Sequence, residues 1–468
     1  MNVPDPDAAA PDADGAREPA PPPRTRGVML RRLGALALGL IHADHLGFAA
    51  IQSVLLQVLT VVANLATGVM TARLLGPAGR GHYAAAVTWP SLLGMAAAAG
   101  TADAVLVHLR RSPADKAATV AWGGLVTLVA AFVLSALAWT AMPTLLGPAQ
   151  SDAVPTARAA LTLVFLIGTA TLARDAFAGR GRYRLTNLGA FLPHCLHALT
   201  MAVFAGFGAL TVQTAVLSLI LGQSAALFML LPMLVREFEG PLTGVRRSIA
   251  AVSSFARRAA PGDLLSLLPL WADRLLLILL LSPAALGLYT VAYGFSRVVT
   301  IATPASGLLL SAMSGERRAA AKQLHDTAVR FCIASIVVTL GPAIALSGPL
   351  VRLFYGAEFL RAAPVFQLLV LQAACGRLVG VTAQFYRALD RPALASGVEL
   401  AGVLTSAALI LSLVPAYGAL GAAIGMLGGT VLRLVLLWGG LVVQLGVPLP
   451  RLWLSFEDLR SARQLFTS

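Results

Sequence analysis

Four charged side chains stand where charge is expensive. Asp273, Arg274 and Arg297 lie inside long apolar runs in the second half of the chain, and Arg377 lies in the middle of another. An ionised group at mid-bilayer costs about 2.5–3.5 kcal/mol or more, so such residues pair with one another or face water. Two chemistries are open to them. One is a structural ion pair, Asp273 with Arg297 for instance. The other is a cationic wall that meets an anionic substrate, for which arginine is suited because its planar fork stays charged and donates paired hydrogen bonds to phosphate. Polar stripes accompany these charges. Gln57, Thr60, Asn64, Thr67 and Thr71 recur at spacings of 3, 4, 3 and 4, which keeps them on one helical face. Tyr289, Tyr293, Ser296, Thr300 and Thr303 do the same at 4, 3, 4 and 3. Singly, such groups serve as modest glue between helices. Together they suit the wall of a water-filled cavity.

Other candidates carry less. His194 and His197 stand one turn apart without a carboxylate or cysteine nearby, a poor set for a metal. Glu399 is placed either to carry a proton or to pair with Arg387 or Arg391. Cys195, Cys332 and Cys375 lie in apolar runs without paired spacing and read as buried small residues. No phosphate loop of the GxxxxGK[ST] type is present, nor HExxH, nor a defensible nucleophile–base arrangement. The acidic residues expected on the outer face are Asp152 and Glu358, too few for glycan-assembly catalysis at that surface. No enzyme activity, cofactor or metal is expected.

The elements that must hold these residues follow from composition. The 468 residues are 57% hydrophobic and 12% charged, with a mean hydropathy of +0.79. A water-soluble globule has about twice that share of charge. The solvent of this chain is therefore lipid, and its fold class is all-α, because hydrocarbon offers backbone groups no partner. Twelve apolar runs of spanning length occur, near 50–75, 83–105, 117–142, 156–177, 187–207, 209–235, 261–281, 284–312, 331–353, 364–386, 393–414 and 419–445. Residues 1–27 are rich in Ala, Pro and Asp and read as a disordered tail, and 28–47 as an interfacial segment. Residues 48–235 and 261–447 form two six-helix lobes, joined by a basic linker at 236–260 and followed by a tail at 448–468.

Charge sets the orientation. The net charge is +14, and with the amino terminus inside, 26 of the 35 Lys and Arg fall in inner segments and five outside. That asymmetry places both termini in the cytoplasm. It also accounts for the basic balance without nucleic acid.

The halves repeat. Leu74-Leu75-Gly76-Pro77-Ala78-Gly79-Arg80-Gly81-His82-Tyr83 matches Leu280-Leu281-Ser282-Pro283-Ala284-Ala285-Leu286-Gly287-Leu288-Tyr289 at six of ten positions, an offset of 206. Gly208-Ala209-Leu210 recurs as Gly418-Ala419-Leu420. An even number of spans per repeat makes the lobes parallel, with a central cavity between them.

The segment Gln52–Gly100, with its Ala72-Arg73-Leu74-Leu75-Gly76-Pro77 core, resembles the opening of the bacterial polysaccharide-biosynthesis and O-antigen flippases. These belong to the multidrug/oligosaccharidyl-lipid/polysaccharide exporter superfamily. Asp273-Arg274 through Ala292 and Val414 through Ala423 look like that family's second-half and final-span openings. The resemblance implies a polytopic protein of the bacterial plasma membrane working by alternating access. Its substrate would be a polyprenyl-pyrophosphate-linked glycan turned from the inner to the outer leaflet, with glycan polymerase or ligase machinery as partner. Arg274, Arg297 and Arg377 would hold the pyrophosphate and Asp273 would exchange an arginine. Gln57, Asn64, Arg73 and Tyr293 would complete the substrate-binding wall. A multidrug or small-molecule antiporter of the same architecture is the alternative, although the first span lacks the carboxylate expected of that branch.

Overall fold

The computed structural model describes residues 46–298, 313 and 318–450. By contacts, residues 1–51 and 52–468 form separate units. The first contributes only the helical stretch 46–51 to the described residues, and every other described element belongs to the second. Thr300 and Thr303, like residues 1–45 and 451–468, lie outside the described residues.

Among the described residues the regular structure is helical: α1 (Leu46–Ala98), α2 (Thr101–Arg111), α3 (Lys116–Leu146), α4 (Val154–Ala159), α5 (Thr162–Gly179), α6 (Tyr183–Gly206), α7 (Val212–Phe238), α8 (Val245–Leu280), α9 (Pro283–Val298), α10 (Arg318–Ala345), α11 (Ser347–Tyr355), α12 (Ala363–Ala388) and α13 (Pro392–Val443). Eight stretches are long and apolar enough to cross a membrane, and two of these, 55–111 and Pro392–Val443, bend sharply within themselves. With α8 and α9 the fold comprises about twelve crossings in two six-helix lobes.

Both sharp bends are made by glycine. Gly76 sits at φ 67° and Gly418 at φ 55°, a region closed to most L-residues. At the first bend Pro77 follows at once. Proline cannot continue a helix but suits a first turn, so one limb ends and the next begins with no loop. The bend is tight: Arg80 Nη1 donates to Thr71 Oγ1 at 3.1 Å, across nine residues that a straight helix would hold well over 10 Å apart. In α13 the limbs run antiparallel, with Gly421 against Leu413, Gly425 against Ile410 and Gly429 against Ser406.

Two boundaries differ from the sequence expectation. The second span begins at Pro77, six residues before 83, because the expected turn 76–82 is a kink. The expected linker and seventh span are not separate elements: α8 runs unbroken from Val245 to Leu280, through Pro261 and Pro269. Its first half packs on the amino-terminal lobe. Ser248 Oγ lies 3.2 Å from Thr119 Oγ1, Trp122 Nε1 donates to Ser253 Oγ at 3.0 Å, and Arg247 pairs with Asp115. Farther along, the Gly100 amide donates to Asp263 Oδ2 at 2.6 Å. Past the far end of the helix, Gln150 Nε2 reaches the Leu281 carbonyl at 3.3 Å.

The repeated motifs pack against each other. A Cβ on Gly81 would stand 1.8 Å from the Pro283 carbonyl oxygen, and one on Gly287 would stand 1.9 Å from the Pro77 carbonyl oxygen. Each glycine thus admits the backbone of the other repeat, and the second limb of α1 crosses α9 as closely as backbones allow. Around this crossing a single core, including Tyr83, Leu281, Leu286, Tyr289 and Phe366, joins side chains of both lobes.

Candidate functional site

Beside the crossing lies a cavity of about 200 Å³. Asn64, Gly68 and Arg80 of α1 form one wall, Thr290, Gly294 and Arg297 of α9 the other, and Tyr355 closes it. One arginine comes from each lobe. Pro77 restarts the helix so promptly that Arg80 falls in its first turn, directed back toward Thr71. Its guanidinium lies 5.4 Å from the Tyr83 ring centre, and the Tyr83 hydroxyl is 3.5 Å from Nε2 of the buried His197. Asn64 Oδ1 accepts a hydrogen bond from His194 Nδ1 at 3.0 Å.

The opposite wall is built around Tyr293. Arg297 Nε donates to its hydroxyl at 3.2 Å, and the guanidinium lies 4.9 Å from its ring centre. The Arg274 guanidinium lies 4.7 Å from the centre of the same ring and 5.0 Å from that of the Trp271 ring. One tyrosine therefore holds two arginines by cation–π attraction, which favours cations over an aromatic face. Tyr289 stacks on Tyr293 at 6.1 Å and donates its hydroxyl to Asp273 Oδ2 at 3.3 Å. Asp273, the candidate partner of Arg297, is buried, and its carboxylate accepts the Tyr289 hydroxyl.

Of the residues singled out from sequence, Asn64 and Arg297 line the cavity, while Arg274, Tyr293 and Asp273 stand behind it. Three do not gather there. Gln57 is exposed. Arg377 is buried between α12 and α10, where Nη1 donates to Ser335 Oγ at 3.1 Å. Arg73 lies at the kink and donates to the carbonyls of Leu353 and Phe354. Glu399 pairs with Arg433 across the α13 hairpin, not with Arg387 or Arg391. Among the described residues no group of His, Cys, Asp and Glu could hold a metal ion. Arg80 is the residue that sequence reasoning missed. Its signal was present in the spacing of Arg80 and Tyr83, three apart, immediately after a Gly-Pro break.

Two six-helix lobes joined along a polar cavity define a multi-pass membrane protein of transporter fold. The profile of the polysaccharide biosynthesis protein family matches residues 49–309. The chain belongs to that family. Its structure is similar to that of the lipid II flippase MurJ in an inward closed conformation, with a TM-score of 0.69 and 14% identity over 89% of this chain and 92% of that one. It is also similar to an inward-facing multidrug resistance transporter of the MATE family, with a TM-score of 0.67 and 14% identity over 82% of this chain and 95% of that one. A eukaryotic MATE transporter superposes with a TM-score of 0.56 and 17% identity over 88% and 97% of the two chains. No curated protein sequence matches the chain.

Proposed function

We propose that this protein is an alternating-access flippase that carries a polyprenyl-pyrophosphate-linked oligosaccharide from the inner to the outer leaflet of a bacterial plasma membrane. The observation that carries this reading is the pair Arg80 and Arg297, one from each lobe, lining a single cavity. A diphosphate can bridge two guanidinium groups, and each charge-assisted contact is about twice as strong as a neutral hydrogen bond. Asn64, Thr290 and the Tyr355 hydroxyl offer the neutral polar partners that sugar hydroxyls require. No bond is made or broken, so no catalytic group is needed. The protein supplies a wet path for groups that cost several kcal/mol each in hydrocarbon. The charge asymmetry of the sequence supports an outward Pro77 end and cytoplasmic termini.

The polysaccharide family and the likeness to a lipid II flippase support the substrate class, and glycan polymerase or ligase machinery would act on the product. The MATE likeness supports a second reading, a small-molecule antiporter. Two arginines at the cavity disfavour a cationic drug. A clean deletion strain tests the choice. The flippase reading expects lipid-linked intermediate to accumulate in the inner leaflet, with surface glycan restored by the wild-type gene and not by Arg80→Ala or Arg297→Ala. Normal surface glycan together with drug hypersensitivity would overturn it in favour of the antiporter.

A further inference from the structure

A second basic site lies at the Pro77 end. Arg73 is exposed, and it donates Nε to the Phe354 carbonyl at 2.8 Å and one Nη to the Leu353 carbonyl. These carbonyls belong to the last turn of α11, where a helix leaves its C=O groups without internal partners. An arginine of one lobe therefore caps a helix of the other. The same helix presents Arg352 to solvent. Arg73 and Arg352, with Gly348, Pro349, Leu353 and Leu360, enclose an open depression of about 720 Å³. Among the described residues neither arginine is ion-paired with a carboxylate. Arg73 uses two of the five N–H donors of its guanidinium and keeps the rest.

Their position makes these charges unusual. With the Pro77 end outside, five Lys and Arg fall in outer segments of the sequence; the kink turns Arg80 inward, and two of the other four, Arg73 and Arg352, share this depression from opposite lobes. Outward arginines do not serve as topology anchors. Two like charges lining one depression are stabilised by an anion between them. The walls beside them, Pro349, Leu353 and Leu360, are apolar, which suits a ligand with a charged head and a greasy remainder.

We propose that this depression is an anion site for the phosphate head of a lipid in the outer leaflet, and that Arg73 exchanges the α11 carbonyls for phosphate oxygens when the lobes part at this end. The proposal rests on the outward placement of the Pro77 end. Two lipids carry the required chemistry: the lipid diphosphate leaving the central cavity, and an anionic phospholipid of the surrounding leaflet.

The test uses the full chain in nanodiscs with a photoreactive amino acid at Leu360. The probes are undecaprenyl diphosphate, phosphatidylglycerol and, as the uncharged control, undecaprenol. The proposal expects cross-links to one or both phosphate lipids and none to undecaprenol, with yields falling about tenfold in Arg352→Ala, as loss of a charge-assisted contact implies. Arg352 is exposed, so this variant folds; Arg352→Lys should recover part of the yield. Cross-linking to the diphosphate identifies the exit route, and to phosphatidylglycerol alone a leaflet-lipid site. Equal yields in wild type and Arg352→Ala, or equal labelling by undecaprenol, would overturn the proposal. Arg80→Ala separates this failure from failure of the central site, because it should abolish complementation while leaving Leu360 cross-linking intact.

Discussion

Replacing Gly81 with alanine should stop the two repeats from closing at the Pro77 end. The added methyl would start 1.8 Å from the Pro283 carbonyl oxygen and 2.6 Å from its carbon, whereas Cβ atoms do not come within 3.0 Å of such neighbours. The obstacle is backbone, so no side-chain rotation relieves it, and the helices must separate by more than 1 Å. Overpacking of this kind costs about 1–3 kcal/mol, which shifts a two-state equilibrium by roughly 5- to 150-fold against the closed form. Gly287→Ala meets Pro77 in the same way and should have the same effect. The assay is pulsed electron resonance between spin labels at Leu74 and Leu353, exposed positions on opposite lobes, after Cys195, Cys332 and Cys375 are replaced by serine. Both variants should move the distance distribution outward. Gly439→Ala is the control, since its methyl meets nothing within 4 Å. A distribution unchanged in Gly81→Ala and Gly287→Ala would refute the view that this crossing is the closure.

Three further substitutions bear on the site and its supports. Tyr293→Phe keeps the ring under Arg274 and Arg297 but removes the hydroxyl that Arg297 reaches, so transport in a complementation assay should fall only a few-fold; Tyr293→Ala removes both and should fall at least tenfold further. Arg80→Lys keeps the charge and loses the fork, so it should bind undecaprenyl diphosphate about tenfold more weakly than wild type by native mass spectrometry, with Arg80→Ala weaker still. Glu399→Ala leaves Arg433 half-buried without its carboxylate and should lower stability by about 1–3 kcal/mol in thermal unfolding, whereas Glu399→Ala with Arg433→Met should recover most of it.

The crossings and the twofold repeat were legible in the sequence because they depend on hydropathy and length, which lipid enforces segment by segment. The joints were less so. Gly76-Pro77 reads as a loop, yet the same two residues also end one helix and start another with nothing between. The charges of 246–258 read as a surface linker, but helix propagation carries through them into the seventh span, because one face of that stretch is buried against Thr119 and Trp122. The site shows the same division. Depth in the membrane can be read along the chain, and it marks Arg274, Arg297 and Arg377 alike. The direction in which a side chain leaves its helix depends on neighbours distant in sequence. Arg377 faces Ser335, 42 residues away, and so is lost to the cavity. Arg80 reads as a loop charge along the chain, and the kink turns it inward.

The repeat explains why the cavity needs both lobes. At an offset of 206, Pro77, Gly81 and Tyr83 correspond to Pro283, Gly287 and Tyr289, and these residues build the crossing twice over. Charged residues are among those that differ. Arg80 corresponds to Leu286, and Asp273 to Thr67. The equivalent tyrosines accordingly serve different partners, Tyr83 lying against Arg80 and Tyr289 against Asp273. On the flippase reading, duplication has kept the crossing symmetric, because the lobes would meet and part through it, and has left the chemistry unequal. Each lobe brings one arginine to the cavity, so neither alone presents the pair. A ligand held by both is held best when the lobes are together around it, and any motion that separates Arg80 from Arg297 weakens its grip. On the flippase reading, opening and release are then one event, set by the geometry of the crossing and needing no separate trigger at the phosphate.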